Sequence, residues 1–193
     1  MQTKSILAAL AVPLLAASLL TGCVTAKGAS RAEKIAYIQK MRDEALKDLA
    51  AGKPETRSLL RDLPGYAVFD SAAIKILMMG SGNGYGVVVD TKTGRETYMK
   101  AAQLSVGLGA GLKRTRTVVF FRSREAMAFM TDKGWSGGAQ ATAVLKADDQ
   151  GGAVGGRESV ERDMLVYQLT DAGVELTASI GGTKIWKDNE LNP

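Results

Sequence analysis

GSGNGYG, residues 80–86, is the stretch that decides the fold, because it places a glycine at every second position. Successive side chains of a β-strand point to opposite faces, so a strand here would leave one face bare. A bare face lets a neighbouring backbone approach closely and lets a sheet curve tightly. The run GLGAG, residues 107–111, repeats the pattern. Together they predict a strongly curved sheet, with a glycine-lined ligand groove as the alternative.

Neither glycine run has the form of a nucleotide-binding loop. A P-loop needs Gly-Lys-Ser/Thr after its glycines, and residues 80–86 lack it. A dinucleotide fingerprint lies between a strand and a helix, whereas the sequence after residue 86 predicts a strand. The glycines therefore favour a role in sheet geometry.

Two helices are predicted before the sheet. Ser30 and Glu33 have the spacing of a capping box, and an apolar stripe continues from there to about Ala51. This helix either packs on the domain or lies on a bilayer. A second, short helix is predicted over residues 55–62 and ends at Pro64.

Many short strands follow the helices, and a short helix from Ser123 to Met130 interrupts them. The strands are predicted over residues 66–69, 74–79, 84–90, 96–104, 105–111, 115–121, 139–146, 164–170, 174–180 and 183–186. Residues 115–121 are apolar on both faces, so we expect that strand inside the sheet. Methionines such as Met78, Met79, Met127 and Met130 are expected in the core. The class is α+β, with N-terminal helices packed on a curved antiparallel sheet or a small barrel.

The N-terminus resembles that of a bacterial lipoprotein precursor. LTGC, residues 20–23, follows an apolar run over residues 6–20, which is too short for a comfortable membrane span. We expect residues 1–22 to be a signal peptide, Cys23 to carry palmitate-type acyl chains, and residues 23–29 to be a tether. Residues 30–193 form the single domain. An ordinary signal peptide, with Cys23 there by chance, is the alternative.

Position 24 bears on localisation. An aspartate after the acylated cysteine is associated with retention at the inner membrane, and this chain has Val24. We therefore expect attachment to the outer membrane, with the domain facing the periplasm; the inner membrane is the alternative.

The composition limits the chemistry. The chain of 193 residues has no histidine and a single cysteine, so Ser-His-Asp triads, Cys-His pairs and zinc sites built on these ligands are impossible. Carboxylates such as Asp148 and Asp149 lie in a glycine-rich loop over residues 147–163, where a catalytic pair would lack a fixed separation. We expect no enzyme activity, no catalytic residues, no metal and no cofactor. The formal charge of +5 is too diffuse to indicate nucleic acid.

The basic residues are the candidate ligand contacts. Lys113, Arg114 and Arg116 form the densest cluster, and Arg57 and Arg61 form a second pair one helical turn apart. Cations at an anionic membrane surface gain about 1 kcal/mol each, so these five residues are candidate phospholipid contacts. A solvated turn is the alternative for residues 113–116.

The chain from about Tyr66 onward resembles the SYLF family, a lipid-binding domain that is also described as actin-binding in yeast. The stretches that carry the resemblance are LSVGLGAG (residues 104–111) with TVVF (117–120), VYQLTDAGV (166–174), residues 175–185 with Gly181-Gly182, and WKDNELN (186–192). The resemblance implies a non-catalytic domain that binds phospholipid; in a bacterial envelope this would be an anionic phospholipid.

The sequence thus predicts a lipid-anchored envelope protein that is attached to the membrane through Cys23 and contacts anionic phospholipid. A structural or interaction module that binds an envelope protein or a cell-wall polymer is the alternative. The identity of a protein partner stays open.

Overall fold

The protein forms an α+β domain in the computed structural model, which describes residues 25–106, 110–136, 163–170, 173–177 and 182–193. Cys23, most of the glycine-rich loop and the predicted strand over residues 139–146 lie outside the described residues. The described helices are α1 (Arg31–Gly52), α2 (Thr56–Asp62) and α3 (Arg124–Ala128), and a π-helical turn (Phe129–Lys133) continues α3. The described strands are β1 (Gly65–Ile76), β2 (Met79–Asp90), β3 (Glu96–Val106), β4 (Gly111–Phe121), β5 (Trp135–Ser136), β6 (Met164–Thr170), β7 (Gly173–Thr177) and β8 (Thr183–Lys187). The predicted class is confirmed.

All the described strands belong to one antiparallel sheet with the order β5-β8-β3-β2-β1-β4-β6-β7. β5 and β7 are the edges of the described sheet, so it is open and not the small barrel that the sequence allowed. β4 pairs with β1 and β6, which confirms the interior position of residues 115–121. β8, which follows β7 in the chain, lies in the opposite half of the strand order, where it pairs with β3.

Each face of the sheet carries its own apolar core. On the α1 face, Val68 and Phe120 pack with Ile38 of α1 and with its neighbours along that helix. On the α3 face, Phe69 and Val119 pack with residues that include the methionines of α3 and the π-helical turn. The sheet is therefore covered by a long helix on one side and by a short helical segment on the other.

The sequence of α1 explains both its start and its position. Ser30 accepts a hydrogen bond from the backbone N–H of Glu33, and the Glu33 carboxylate accepts one from the backbone N–H of Ser30, which confirms the capping box. The buried residues of the helix lie on one stripe: Ile38, Met41, Ala45 and Leu49. The structure therefore places α1 on the domain rather than on a bilayer.

The glycines of β2 lie on the α3 face, as the period of two predicts. A Cβ atom added at Gly84 would lie 2.8 Å from the Cβ of Ser71 on β1 and would collide with the carbonyl oxygen of Asp70. At Gly82 it would lie 2.7 Å from the Cβ of Ala73. Side chains of β1 thus occupy the space that side chains at these glycines would need, which supports the curvature interpretation for residues 82–86.

The strand prediction for residues 74–79 is wrong. β1 and β2 form one long hairpin, in which Ile76 pairs with Met79 and only Leu77 and Met78 form the turn. Of the predicted strand over residues 105–111, the first two residues extend β3 and Gly111 begins β4, while residues 107–109 lie outside the described part.

The described residues that form the two cores lie between Ala26 and Leu191. Ala26 already packs against the α1-face core, and the backbone N–H of Ala29 donates to Glu33 at 2.7 Å. At the other end, Leu191 is buried in the same core and its carbonyl oxygen accepts hydrogen bonds from Arg31. A segment with its own hydrophobic core is able to fold alone, so we expect residues 25–193 to fold without residues 1–24. None of the described helices combines the length and the apolar character that crossing a bilayer requires.

Candidate functional site

The end of the β1–β2 hairpin exposes large apolar side chains. Ile76, Leu77, Met78 and Met79 are 68%, 75%, 59% and 72% exposed. The expectation that methionines fill the core is therefore wrong for Met78 and Met79, whereas Met127 and Met130 are buried as expected.

The exposed apolar surface continues across neighbouring strands on the α1 face. Ile74 pairs with Leu112 of β4 and with Ser81 of β2, and Ser81 pairs in turn with Leu104 of β3. All three apolar residues of this row are exposed. The apolar tip consists of Ile74, Ile76, Leu77, Met78, Met79, Leu104 and Leu112. A contiguous exposed apolar surface is typical of a contact with another molecule or with a membrane.

The turn of the hairpin has an unusual residue. Leu77 has a φ of 58°, a backbone conformation that tight hairpins normally assign to glycine or asparagine. A leucine there costs backbone strain and, in this structure, gains little burial. Neither the geometry of the turn nor packing in the core explains why a leucine occupies this position, so an external contact is the remaining explanation.

The opposite, α3 face of the same end contains a cavity of about 250 Å³. β1 and β4 contribute Lys75 and Lys113 to it, and both residues lie on strand segments that lead to the hairpin end. The deeper part includes the apolar residues Phe69, Ala101 and Ile185. The cavity and the apolar tip therefore lie at one end of the sheet, on opposite faces.

The structure separates the basic residues of β4. Lys113 faces the cavity, whereas Arg114 and Arg116 lie on the α1 face and are engaged with carboxylates. Arg116 donates to Glu44 at 3.1 Å and to Asp48 at 3.4 Å, so it joins β4 to α1. Its position is explained by helix docking.

Arg114 is the partner of a fully buried carboxylate. Its Nε donates to Asp70 Oδ1 at 2.9 Å, and its second nitrogen donates to Oδ2, which also accepts from the hydroxyl of Tyr85 at 3.2 Å. The hydrogen bond to Asp70 raises the pKa of Arg114 above its ordinary value, and the Asp70 charge adds to this effect. Arg114 therefore stabilises the fold, although its side chain remains 55% exposed beside the apolar tip.

Arg57 and Arg61 lie far from the other candidates. Both are exposed on α2, which leads directly into the start of β1. Lys113 pairs with Ala73, eight residues along β1 from Gly65, and eight strand residues span roughly 26 Å. The predicted contacts thus form no single basic surface, and their role in phospholipid binding stays a prediction.

A second, smaller cavity lies at the opposite end of the sheet. It has a volume of about 160 Å³ and is lined by residues of β2, β3, α3 and the turn that follows it. There Arg124 donates to Asp90 at 2.7 Å, so the main charged groups neutralise each other. This cavity is a weaker candidate than the one beside the apolar tip.

Comparisons with known proteins show a relative of this chain. No family model matches the chain. The chain is 34% identical over 160 residues to Beta cell expansion factor A of Aeromonas veronii, and the alignment covers 80% of this chain and 57% of the relative. The chain thus spans a little over half the length of this relative. The SYLF resemblance stays a prediction.

The sequence reasoning missed the apolar tip. The mainly apolar run over residues 74–79 contains no glycine, proline or asparagine, so it predicts a continuous strand. The run of three large residues, Leu77-Met78-Met79, directly before a glycine-rich strand is the signal that could have located the turn.

Proposed function

We propose that the domain is non-catalytic and contacts phospholipid membranes through the apolar tip. The observation that carries the proposal is the exposure of Ile76 to Met79 at the turn of the β1–β2 hairpin. Full burial of one large apolar side chain is favourable by about 1.5–3 kcal/mol, so a few such residues suffice for membrane association. The SYLF resemblance supports the same ligand class.

Basic groups beside the tip favour an anionic surface. Lys75 and Lys113 lie on one face of this end and Arg114 on the other. Each cation close to an anionic bilayer adds about 1 kcal/mol. Because Arg114 already forms an ion pair with Asp70, we expect Lys75 and Lys113 to contribute more of the attraction to an anionic bilayer.

The proposal includes the anchor. An acylated Cys23 attaches the protein to the periplasmic face of the outer membrane, so the domain works beside a bilayer. The sequence LTGC at residues 20–23, which resembles the cleavage site of a lipoprotein precursor, supports the anchor. The inner membrane remains the alternative location.

Vesicle binding tests the contact. We expect residues 25–193 to co-sediment with vesicles that contain anionic phospholipid, and Leu77→Ser with Met78→Ser to weaken the binding at least about tenfold, because two apolar groups are lost. Leu176→Ser is the matched control, since Leu176 is 56% exposed on β7 and lies outside the tip. Equal binding by the tip variant and the control, at low salt, would reject the proposal.

A protein or a cell-wall polymer is the second candidate for the same surface, since exposed apolar patches also mark interaction sites. A photo-crosslinking residue placed at Met78 separates the two in cells. Adducts with phospholipid support the membrane contact, whereas a single dominant protein or glycan adduct favours the interaction module.

A further inference from the structure

The two lysines of the 250 Å³ cavity have no anionic partner in the described part of the chain. Lys75 and Lys113 line the cavity on neighbouring strands, where Lys113 pairs with Ala73, two residues from Lys75. Within the described residues, neither lysine forms an ion pair, and the cavity lining includes no Asp or Glu. Glu175 lies on the same face beyond Gln168, but it is exposed and does not line the cavity. Two lysines thus line a space for which the described residues supply no counter-ion.

The wall of the cavity offers further polar groups. The amides of Gln103 and Gln168 make no side-chain hydrogen bond to any residue that the structure describes. The hydroxyls of Thr115 and Thr117 line the same space. Amide and hydroxyl groups accept and donate hydrogen bonds, so they suit a polar linker as well as the oxygens of an anion.

The buried part of the cavity lining contains apolar side chains beside Thr115, Thr117 and Thr183. Phe69, Ala101 and Ile185 are 4%, 4% and 2% exposed and belong to the core on the α3 face. A cavity of roughly 150 Å³ with apolar walls accepts benzene, so the space here holds more than a six-carbon ring. Small-molecule sites combine apolar walls with convergent polar groups, and this cavity has both.

We infer that this cavity binds one single-chain amphiphile with a phosphate monoester head. The head lies between Lys75 and Lys113, the linker contacts the amides and hydroxyls of the wall, and the tail lies against Phe69, Ala101 and Ile185. A phosphate monoester carries a charge of about −1.5 to −2 at neutral pH, which matches two lysines better than a carboxylate does. The site does not require the apolar tip, which lies on the opposite face, although it uses the same two lysines as the proposed bilayer contact.

Calorimetry with residues 25–193 and three soluble probes tests the inference. We expect octyl phosphate, below its micellar concentration, to bind one molecule per chain. Octyl glucoside has the same tail and a neutral head, and glycerol 3-phosphate has a phosphate head without the tail; each should bind at least about tenfold more weakly, because each loses one half of the recognition.

Charge substitutions show where the head binds. Lys75→Gln combined with Lys113→Gln should lower the affinity for octyl phosphate at least about tenfold and leave octyl glucoside unchanged, since only the charged contacts are lost. Lys184→Gln, at an exposed position of β8, is the matched control and should bind octyl phosphate as the wild type does. Undiminished affinity in the double variant, or equal affinity for glycerol 3-phosphate, would overturn the inference.

A measurement on the wild type keeps the test independent of the folding of the variants. Octyl phosphate should shift the amide resonances of Thr115, Thr117 and Gln168 and not those of Leu77 and Met78. Leu77→Ser should bind octyl phosphate normally even though it weakens vesicle binding, so the two proposals fail separately. Shifts confined to the apolar tip, or several molecules bound per chain, would also overturn the site.

Discussion

At the scale of single residues, Gly84 shows how an absent side chain leaves room for a neighbouring strand. Ser71 and the backbone of Asp70 occupy the space that a Cβ atom at residue 84 would need. Backbone atoms of a paired strand cannot shift without a large cost in packing. The period of two in GSGNGYG allowed this role to be predicted. The neighbours on β1 could not be named from the sequence, because they depend on the register.

Replacing Gly84 by alanine should therefore destabilise the domain. We expect Gly84→Ala to lower the free energy of unfolding by about 1–3 kcal/mol, the usual cost of overpacking. Urea denaturation measures the difference. Ser81→Ala, at an exposed position of the same strand, is the control and should stay within about 0.5 kcal/mol of the wild type. A Gly84→Ala protein as stable as the Ser81→Ala protein would mean that β1 and β2 can separate without cost.

At the scale of elements, α1 was predictable and the β1–β2 hairpin was not. Ser30, Glu33 and the apolar stripe are local signals, and all of them agree with the helix that forms. The hairpin turn at Leu77 and Met78 contradicts its local signals, because leucine and methionine favour neither a tight turn nor exposure. Such a conflict between sequence and structure is typical of functional sites. The ion pairs of Arg114 and Arg116 also escaped prediction, since their partners lie 44 or more residues away in the chain.

The docking of α1 on β3 should give the protein an acid-sensitive component of stability. Burial alone would raise the pKa of Glu96, but hydrogen bonds from Tyr98, Gln39 and Arg42, together with the Arg42 charge, lower it below its ordinary value. The stabilisation is present above the pKa of the unfolded chain, about 4.3, and is lost as the pH falls through the folded value.

The variant Glu96→Gln isolates this component. We expect it to lower the free energy of unfolding at pH 7 by about 1.5 kcal/mol and to reduce the further loss between pH 5 and pH 3. Urea denaturation at several pH values measures both. Glu190→Gln removes an exposed pair with Lys34 and should change stability little. An unchanged acid dependence in Glu96→Gln would show that this carboxylate is not the acid-sensitive group.

At the scale of the whole molecule, the class α+β followed from the order of elements, whereas the open sheet did not. Strand count and glycine content are compatible with a barrel as well as with an open sheet. The position of β8 beside β3, on the far side of the sheet from β7, is a long-range pairing that no local pattern contains. The candidate site depends on this topology, because β8 contributes Ile185 to the wall opposite β4.

Attachment to the membrane through Cys23 is the prediction that belongs to this scale. In cells supplied with an alkyne analogue of palmitate, we expect the wild type to be labelled and the Cys23→Ser variant to be unlabelled, because the thiol is the acyl acceptor. The intact mass of the wild type should show the loss of residues 1–22. Thr25→Ala is the control and should be labelled normally. Label that persists in Cys23→Ser would reject the anchor.

If Cys23 is acylated as we propose, the packing of Ala26 against the α1-face core limits how the domain sits on a bilayer. Three residue steps separate it from Cys23, a reach of roughly 11 Å. Arg31, at the start of α1, donates to the carbonyl oxygen of Leu191, and the next residue, Asn192, donates to the carbonyl oxygen of Tyr98. Tyr98 pairs with Val87 of β2. Val87 lies eight strand residues, or roughly 26 Å, from Met79 at the hairpin turn. The segment from Cys23 to Ala26 is shorter than half of this distance, so the acylated cysteine could not reach a bilayer that only the hairpin end contacts. If both points touch lipid, the domain lies on its flank, with the long axis of β3 parallel to the membrane plane.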